Sequence, residues 1–586
     1  MRVNHTDKTS DTRLAIVGGG PRGLSALESV YGALAAKGNP KSLHTLFFES
    51  GKFVGAGHVY DLEQPDTNWL NVSERGLTIP SRKEIKCDNF SVPSFPSYHD
   101  WSGYNQKIDA GAIPDKFPLR SVVGKYLNER YSSIASVLES EGLLQRISGK
   151  VVKTDWNEEA FSIALNDGTT YYTDELVLTI GHQPTRHSKQ IANWLDFSKG
   201  KSSLALMAEP YPVEKILTCI VLDFGATVAV RGFGLAMIDV MRALTVGMGG
   251  KFKIIDEATQ SMAYEKSGDE PAKIFPFSLD GLPMAPKPLS LKIDELYFPT
   301  DKEIRSFKLA VGKIAEEGKV KDHQFLIDAI VPIISRVFLG LGIKTYAHDL
   351  KSLALEKVIR SWLSNGEFEH DLILSKSNPP EKTLEAFIGM ATDTNLISLD
   401  FCIGHVWRHC QPTLYEAISF SRLDNEVIAS IIALDERIKR YSYGPPVASL
   451  QQLLALIKAD VVTLNFVENP EIKTSESGWQ LSKGGKSITA AIMVNSVLDP
   501  PKLLEINSPI VCNLLHDSLV KPVHDELGIA TYKNGCVRLP KEMEAIPLAV
   551  LGRLSKGTLI GVDAILECFG LRSELWAEGA VDRIIG

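Results

Sequence analysis

The sequence predicts an α/β protein of two strand–glycine-turn–helix units with a mainly helical insertion. Three observations predict it. Leu14-Ala-Ile-Val-Gly-Gly-Gly-Pro-Arg-Gly-Leu24 passes from an apolar strand through a glycine turn into a helix. Thr227-Val-Ala-Val-Arg-Gly-Phe-Gly-Leu235 repeats that pattern. From Asp301 to about Arg440, apolar residues recur at helical spacing.

In the first unit Gly18, Gly20 and Gly23 fit G-x-G-x-x-G, and Leu24 to Val30 continue as a helix. Gly18 permits the tight turn, Gly20 lets backbone approach a pyrophosphate, and Gly23 lets helix pack close on strand. The helix start presents free N–H groups and a positive dipole end to phosphates. The next strand, Leu43-His-Thr-Leu-Phe-Phe48, ends in Glu49, an acid placed to accept hydrogen bonds from a ribose diol, and Ser50 opens a long loop. These features predict a Rossmann-like dinucleotide site. Gly51 to Pro118 is rich in Pro, Asn, Asp and Ser, and loops this long inside compact domains usually serve function. Helices follow at about Ser121–Tyr131 and Ile134–Ser140. A β-meander is expected around Val151–Asp155, Phe161–Leu165 and Thr170–Tyr172. The strand Glu175–Ile180 then ends at Gly181-His182, where backbone can come against a cofactor; a satisfied loop histidine is the competing reading of His182.

The second unit has Gly232 and Gly234 in place but Met237 at the third position, where Gly or Ala would pack closer. A glycine turn at Gly247–Gly250 and a strand at Phe252–Ile255 are expected after its helix. The insertion carries helical patterns at Phe307–Ile314, Phe325–Leu341, Ala354–Leu363 and Asn425–Ile438. Strand patterns return at Val461–Phe466 and Ile488–Val494. The C-terminal piece reads as a strand from Leu548 entering a glycine-rich helix start after Gly557 and continuing through Ala564–Phe569. The expected partition is 1–215 and 501–586 for the first unit, 216–300 and 451–500 for the second, and 301–450 for the insertion.

At 586 residues, 44% hydrophobic, the chain can bury several cores. A net charge of -8 and a pI near 6.0 argue against nucleic acid as a partner, which would need a basic face. No apolar run approaches the roughly 18 residues of a membrane span. The best, Ala329 to Ile343, is interrupted by Ser335-Arg336. Met1 to Arg13 is polar and unlike a secretory signal, so a cytoplasmic protein without membrane contact is expected. None of the seven cysteines forms C-x-x-C, which excludes dithiol redox catalysis of the flavin–disulfide type. His405, His409 and Cys410 cluster, but the second Cys-rich element of a zinc site is missing, and no metal is expected.

Gly-Gly-Gly-Pro-Arg-Gly is a form often taken by FAD sites. Taken with Gly55-Ala-Gly-His-Val-Tyr60, Leu70-Asn71-Val72, Phe117-Pro-Leu-Arg120, Gly124-Lys-Tyr126, Gly181-His182, Gly232-Phe-Gly-Leu235 and Gly552-Arg-Leu-Ser-Lys-Gly-Thr558, it resembles the bacterial FAD/NAD(P)-binding family related to flavin-dependent N-hydroxylating monooxygenases. Aspartate N-hydroxylases are among the relatives, lysine and ornithine N-hydroxylases more distantly. The resemblance implies FAD, NADPH or NADH, O2, and the amine of a small amino-acid-like substrate oxidised through a C4a-hydroperoxyflavin. It implies that Gly18, Gly20, Pro21, Arg22, Gly23 and Glu49 hold the ADP part of FAD. Gly552, Lys556, Gly557 and Thr558 would approach the flavin or its ribityl chain. Asn71 and Arg120 match positions near flavin or substrate. Arg120 has the fork to pair with a carboxylate, a surface salt bridge being the alternative. His58 and Tyr60 lie in the same loop. No nucleophile–base pair stands out, as expected where a cofactor carries the hard step.

One departure matters. Where relatives often carry Ser-Arg-x-Gly, this chain has Ser278-Leu279-Asp280-Gly281, without the arginine that would grip a 2′-phosphate. The choice between NADPH and NADH, and whether the second site works at all, stays open. Two other readings remain: an NAD(P)H–flavin oxidoreductase or oxidase without hydroxylation, and a non-catalytic flavin-binding redox module. The helical insertion offers faces for a lid or for a homo-oligomer.

Overall fold

The structure, a computed structural model, describes residues 12–585 except 39–42, 88, 106–110, 112, 220, 224, 346–350, 540–544 and 563. Two parallel sheets organise the chain, as the glycine turns predict. The first has five strands in the order Leu548–Val550, Glu175–Leu178, Thr12–Val17, Leu43–Glu49, Leu144–Ser148. Leu14, Ala15 and Ile16 are fully buried, because helices and loops cover both faces of such a sheet. The helix Pro21–Ala36 packs on one face against the C-terminal helix Leu571–Ile585. The other face is covered by the antiparallel sheet Val151–Trp156, Phe161–Leu165, Thr170–Thr173 and by helix Pro509–His516.

The second sheet has four strands in the order Ala205–Met207, Ile492–Asn495, Thr227–Arg231, Lys273–Phe277, all parallel. The strand expected at Phe252–Ile255 is present as Lys251–Asp256, but it does not join this sheet. It forms a hairpin with Ser261–Glu265 and leaves Ile254 and Ile255 exposed. The sheet partner is Lys273–Phe277, whose Pro276 lacks an N–H and so suits an edge strand, which this is. Val461–Phe466 forms no strand; Val462 makes only an isolated bridge with Ile274. The pattern at Ile488–Val494 splits between Lys486–Ala490, in an antiparallel sheet with Gly478–Lys483, and Ile492–Asn495 of the parallel sheet.

Between Asp301 and Lys458 lie helices Asp301–Glu317, Gln324–Gly340, Ser352–Ser364, Pro380–Ala391, Leu399–Ile418, Asn425–Ser442 and Val447–Lys458. They share one apolar core with the second sheet, so this region is fused to that unit rather than hung from it. The apolar run near Ala329–Ile343 is buried in that core, and no helix among the described residues is long and apolar enough to cross a membrane. The two helices expected after Arg120 are one, Arg120–Ser140. Among the described residues no α-helix starts directly after Gly557. The strand Leu548–Val550 leads into a 3-10 turn at Arg553–Ser555, a second one covers Ile565–Phe569, and the α-helix begins only at Leu571. The helix dipole expected at Gly557 is therefore absent, because Gly557 sits at φ +116°, outside helical backbone.

Candidate functional site: two glycine turns and the seam between them

The first turn is built by close approach. Gly18 has φ +108°, and a Cβ there would stand 2.6 Å from Thr179 O. A Cβ on Gly23 would overlap Gly18 O outright. Gly20 differs: it caps the helix at φ -79°, and its nearest neighbour would be Gly57 Cα at 3.8 Å. The space above Gly20 is thus kept for something other than protein. No side chain caps that helix, so its first N–H groups face the same space. The loop after the second strand folds over it, Gly55 N–H donating to Gly19 O at 2.6 Å.

Glu49 stands under the turn, 7% exposed. Its carboxylate accepts from Gly19 N–H and Gly51 N–H, both at 2.5 Å, with Ser50 Oγ at 3.5 Å, and His58 lies next to Gly51. Arg22 is 6% exposed and donates one N–H to Glu567 O, while its Nε finds no partner. Gly552 is set beside that nitrogen: a Cβ there would stand 3.4 Å from Arg22 Nε. Gly18, Glu49, Gly181 and Gly552 thus gather at the carboxyl ends of four neighbouring strands, where open α/β sheets bind ligands. An orphaned buried Arg nitrogen, a glycine with room above it and an uncapped helix start fit the diphosphate of a dinucleotide.

Other expected site residues are engaged elsewhere. Lys556 pairs with Glu436 of helix Asn425–Ser442 at 2.5 Å. Thr558 Oγ1 accepts from Thr531 N–H at 3.1 Å, and Gly557 packs against Leu527 and Val523. Arg120 does meet a carboxylate, but it is the chain's own. Its guanidinium donates to Asp239 at 2.6 Å, to Tyr211 OH at 3.3 Å and to Trp69 O at 3.2 Å. Asp239 lies on the second unit's helix Leu235–Ala243, so Arg120 ties the two units together. Exposed His182 lines a small cleft with Tyr211, Arg231 and Asn495, at the carboxyl ends of the second sheet's central strands.

The second turn repeats the first. Gly232 has φ +117° with no room for a Cβ beside Ser496 Oγ, and Gly234 caps its helix without a side-chain partner. Met237 is absorbed into the core at 2% exposure. A cavity of about 440 Å³ opens against Phe233 and Gly234, floored by Ser278 and Asp280 and roofed by helix Asn425–Ser442.

Sequence reasoning missed the seam between units. Lys287 Nζ donates to Asn71 Oδ1 at 2.9 Å and to Gly444 O at 2.6 Å, while Asn71 Nδ2 donates to Tyr443 O at 3.0 Å. Burial drives the Lys287 pKa well below the usual lysine value, and the Arg408 charge adds to it. Nothing local in the sequence marks this lysine. Nearby, Asp294 accepts from Arg75, Arg408 and His409, joining the long loop to helix Leu399–Ile418. Burial alone would raise its pKa, but Arg408 and His409 together pull it well down. A depressed carboxyl contributes stability that is whole above its unfolded value of about 4 and is lost as pH falls toward the folded one. Wild type is therefore expected to lose more stability than Asp294→Asn between about pH 5 and pH 2, read as urea midpoints across that window. Equal losses would show that Asp294 does not couple to acid. His405 and His409 share this network, and among the described residues no group of three or more ligating side chains forms a metal site.

Known proteins share part of this sequence. Residues 15–183, less than a third of the chain, match the FAD-NAD(P)-binding family. The nitrosuccinic acid synthase of Aspergillus oryzae is 26% identical over 277 residues, 47% of this chain and 41% of that protein. An L-aspartate N-monooxygenase (nitrosuccinate-forming) of Streptomyces davaonensis is 26% identical over 300 residues, 47% of this chain and 44% of that protein. The alignments span less than half the length of these curated relatives. Among solved structures, L-lysine 6-monooxygenase from Pseudomonas syringae overlays 98% of this chain and 100% of its own at 13% identity, with a TM-score of 0.47.

Proposed function

We propose that the chain is an FAD-dependent, NAD(P)H-using N-monooxygenase that oxidises the amine of a small amino acid. The observation that carries this reading is the first turn: Gly20 open above an uncapped helix, with orphaned Arg22 Nε and Gly552 alongside. FAD, when bound, supplies the electron transfer and oxygen activation that no side chain provides. The residues around it bind, orient and handle protons. The Gly18–Gly23 turn and Arg22 hold the diphosphate. Glu49, with lone pairs left beyond its two backbone N–H donors, takes the ribose hydroxyls. The Gly232–Gly234 turn holds the nicotinamide dinucleotide across the seam bridged by Arg120 and Asp239. The aspartate N-monooxygenase relatives make aspartate the first substrate to try.

An amine must lose its proton before its nitrogen can attack an electrophilic oxygen. We assign that proton to Lys287 Nζ. A neutral lysine amine has two N–H donors and one lone pair; Asn71 Oδ1 and Gly444 O use both donors and leave the lone pair to accept. Lys287→Met is expected to keep FAD and its reduction by nicotinamide. It should lower substrate oxidation by on the order of 100-fold, the usual scale of general-base loss, and release peroxide instead.

The reading as a whole is tested by the absorption spectrum of the purified protein, followed anaerobically on adding each nicotinamide and then in air with candidate amino acids. A flavin band bleached by one nicotinamide, with oxygen uptake coupled to hydroxylated product, is the expected result. Bleaching with peroxide as the sole oxygen product for every amine would favour an oxidase. A colourless protein that refuses FAD would overturn the proposal.

A further inference from the structure

The cavity at the second turn holds an unusual charge arrangement. In a strand–glycine-turn–helix unit, the residues just after the second strand meet the adenosine ribose. Here they are Ser278 to Gly281, following Lys273–Phe277. Leu279, where an arginine would grip a 2′-phosphate, is 86% exposed and contributes nothing to the cavity lining. Asp280 does line it, and a lone carboxylate there would select an unphosphorylated ribose by accepting from its 2′-hydroxyl.

Asp280 is not alone. Arg440, from helix Asn425–Ser442, donates from both terminal nitrogens to its two carboxylate oxygens, and from one of them also to Leu282 O at 2.8 Å. The same helix brings Arg437 and Lys439 to the cavity, and Lys376 lines it as well. Three of these four cations face acids in the lining: Arg440 with Asp280, Lys376 with Glu367, Lys439 with Glu436. Arg437 instead hydrogen-bonds the carbonyl oxygens of Trp362 and Leu363 and makes no carboxylate bond among the described residues. The lining thus carries four cations against three acids, an excess of one positive charge.

We propose that Arg440, a residue of the helical insertion, replaces the missing arginine of the glycine-turn unit and sets a preference for the 2′-phosphorylated dinucleotide, NADPH. The inference rests on the reading that this cavity binds a nicotinamide dinucleotide. The guanidinium fork has five N–H donors, so it can hold Asp280 and still present donors to a phosphate. Its bond to Asp280 also removes the carboxylate that would otherwise repel the phosphate.

The test is calorimetric binding of 2′,5′-ADP and of 5′-AMP, which differ only in the 2′-phosphate, to the FAD-loaded full-length protein, in wild type, Arg440→Gln and Asp280→Asn. Wild type is expected to bind 2′,5′-ADP about tenfold or more tightly than 5′-AMP, the scale of one charge-assisted contact. Arg440→Gln, which also frees Asp280 to accept from the 2′-hydroxyl, should lose or reverse that margin, and Asp280→Asn should keep the margin or widen it. Arg440→Lys, which retains charge without the fork, should fall between. Retained 5′-AMP binding shows that the variants fold. Equal affinities in wild type, or an unchanged ratio in Arg440→Gln, would overturn the role of Arg440. If NADH still bleaches the flavin in that case, the dinucleotide reading survives; if neither nucleotide binds and neither nicotinamide bleaches it, both fail.

Discussion

Replacing Gly20 by alanine should leave the protein folded and pale, whereas replacing Gly23 by alanine should damage the fold itself. The two glycines sit three residues apart in one turn, and geometry separates them. At Gly20 the backbone is one any residue adopts, and the new methyl would meet only Gly57 Cα at 3.8 Å. Stability should therefore move by no more than about 0.5 kcal/mol, as for other substitutions that disturb no contact. The methyl would occupy the space kept for a diphosphate, so FAD affinity should fall by roughly tenfold or more, since a clash or displaced charge-assisted bond costs at least that. At Gly23 the methyl would overlap Gly18 O, so helix must separate from strand. Overpacking of that kind costs about 1–3 kcal/mol, and flavin should be lost along with it. Denaturant midpoints and the flavin content of the two purified variants decide the matter. If Gly20→Ala unfolds, or binds FAD as wild type does, the space above the turn has no ligand role.

How far the sequence could lead depends on how local each feature is. The Gly18 turn was legible because strand, glycines, helix and Glu49 all lie within about forty residues and answer to short-range sterics. The meander at Val151–Thr173 was legible for the same reason, its strands pairing with their neighbours in sequence. The strand at Phe252–Ile255 was legible but its partner was not, because an apolar run looks the same in a sheet and in a projecting hairpin. Lys273-Ile-Phe-Pro-Phe277 did not stand out as a strand in the sequence, although a sheet edge tolerates Pro276. Arg440 could not be linked to Asp280, 160 residues away, since only the folding of the insertion onto the second sheet brings them together. The Lys287–Asn71 contact is 216 residues apart and equally invisible to pattern. Arg120 shows a middle case: its pairing with a carboxylate was readable as chemistry, but the partner, Asp239 on another unit, was not.

Glu28→Ala should be the most damaging single change outside the glycine turn. Glu28 sits on the helix that begins at the turn and is 8% exposed. Its carboxylate takes two bonds from Arg130, at 2.8 and 2.7 Å, and one from Arg82 at 3.1 Å. Both arginines are themselves buried, at 3% and 5% exposure. Arg130 also bonds Pro80 O, and Arg82 bonds Pro93 O and Ser133 Oγ, so this one acid anchors the long loop and helix Arg120–Ser140 to the cofactor-facing helix. Removing it leaves two buried guanidinium groups with no counter-charge, which typically costs about 3–5 kcal/mol. Glu28→Gln keeps the shape and an acceptor oxygen and should cost less, while Glu28→Met would still strand both cations. The loop that folds over Gly20 leads straight into the anchored segment, so flavin retention should fall in step with the urea midpoint across Gln, Met and Ala. If Glu28→Ala unfolds at the wild-type midpoint, the triad is not what holds the loop. If stability falls but flavin stays bound, the loop over Gly20 is secured independently of it.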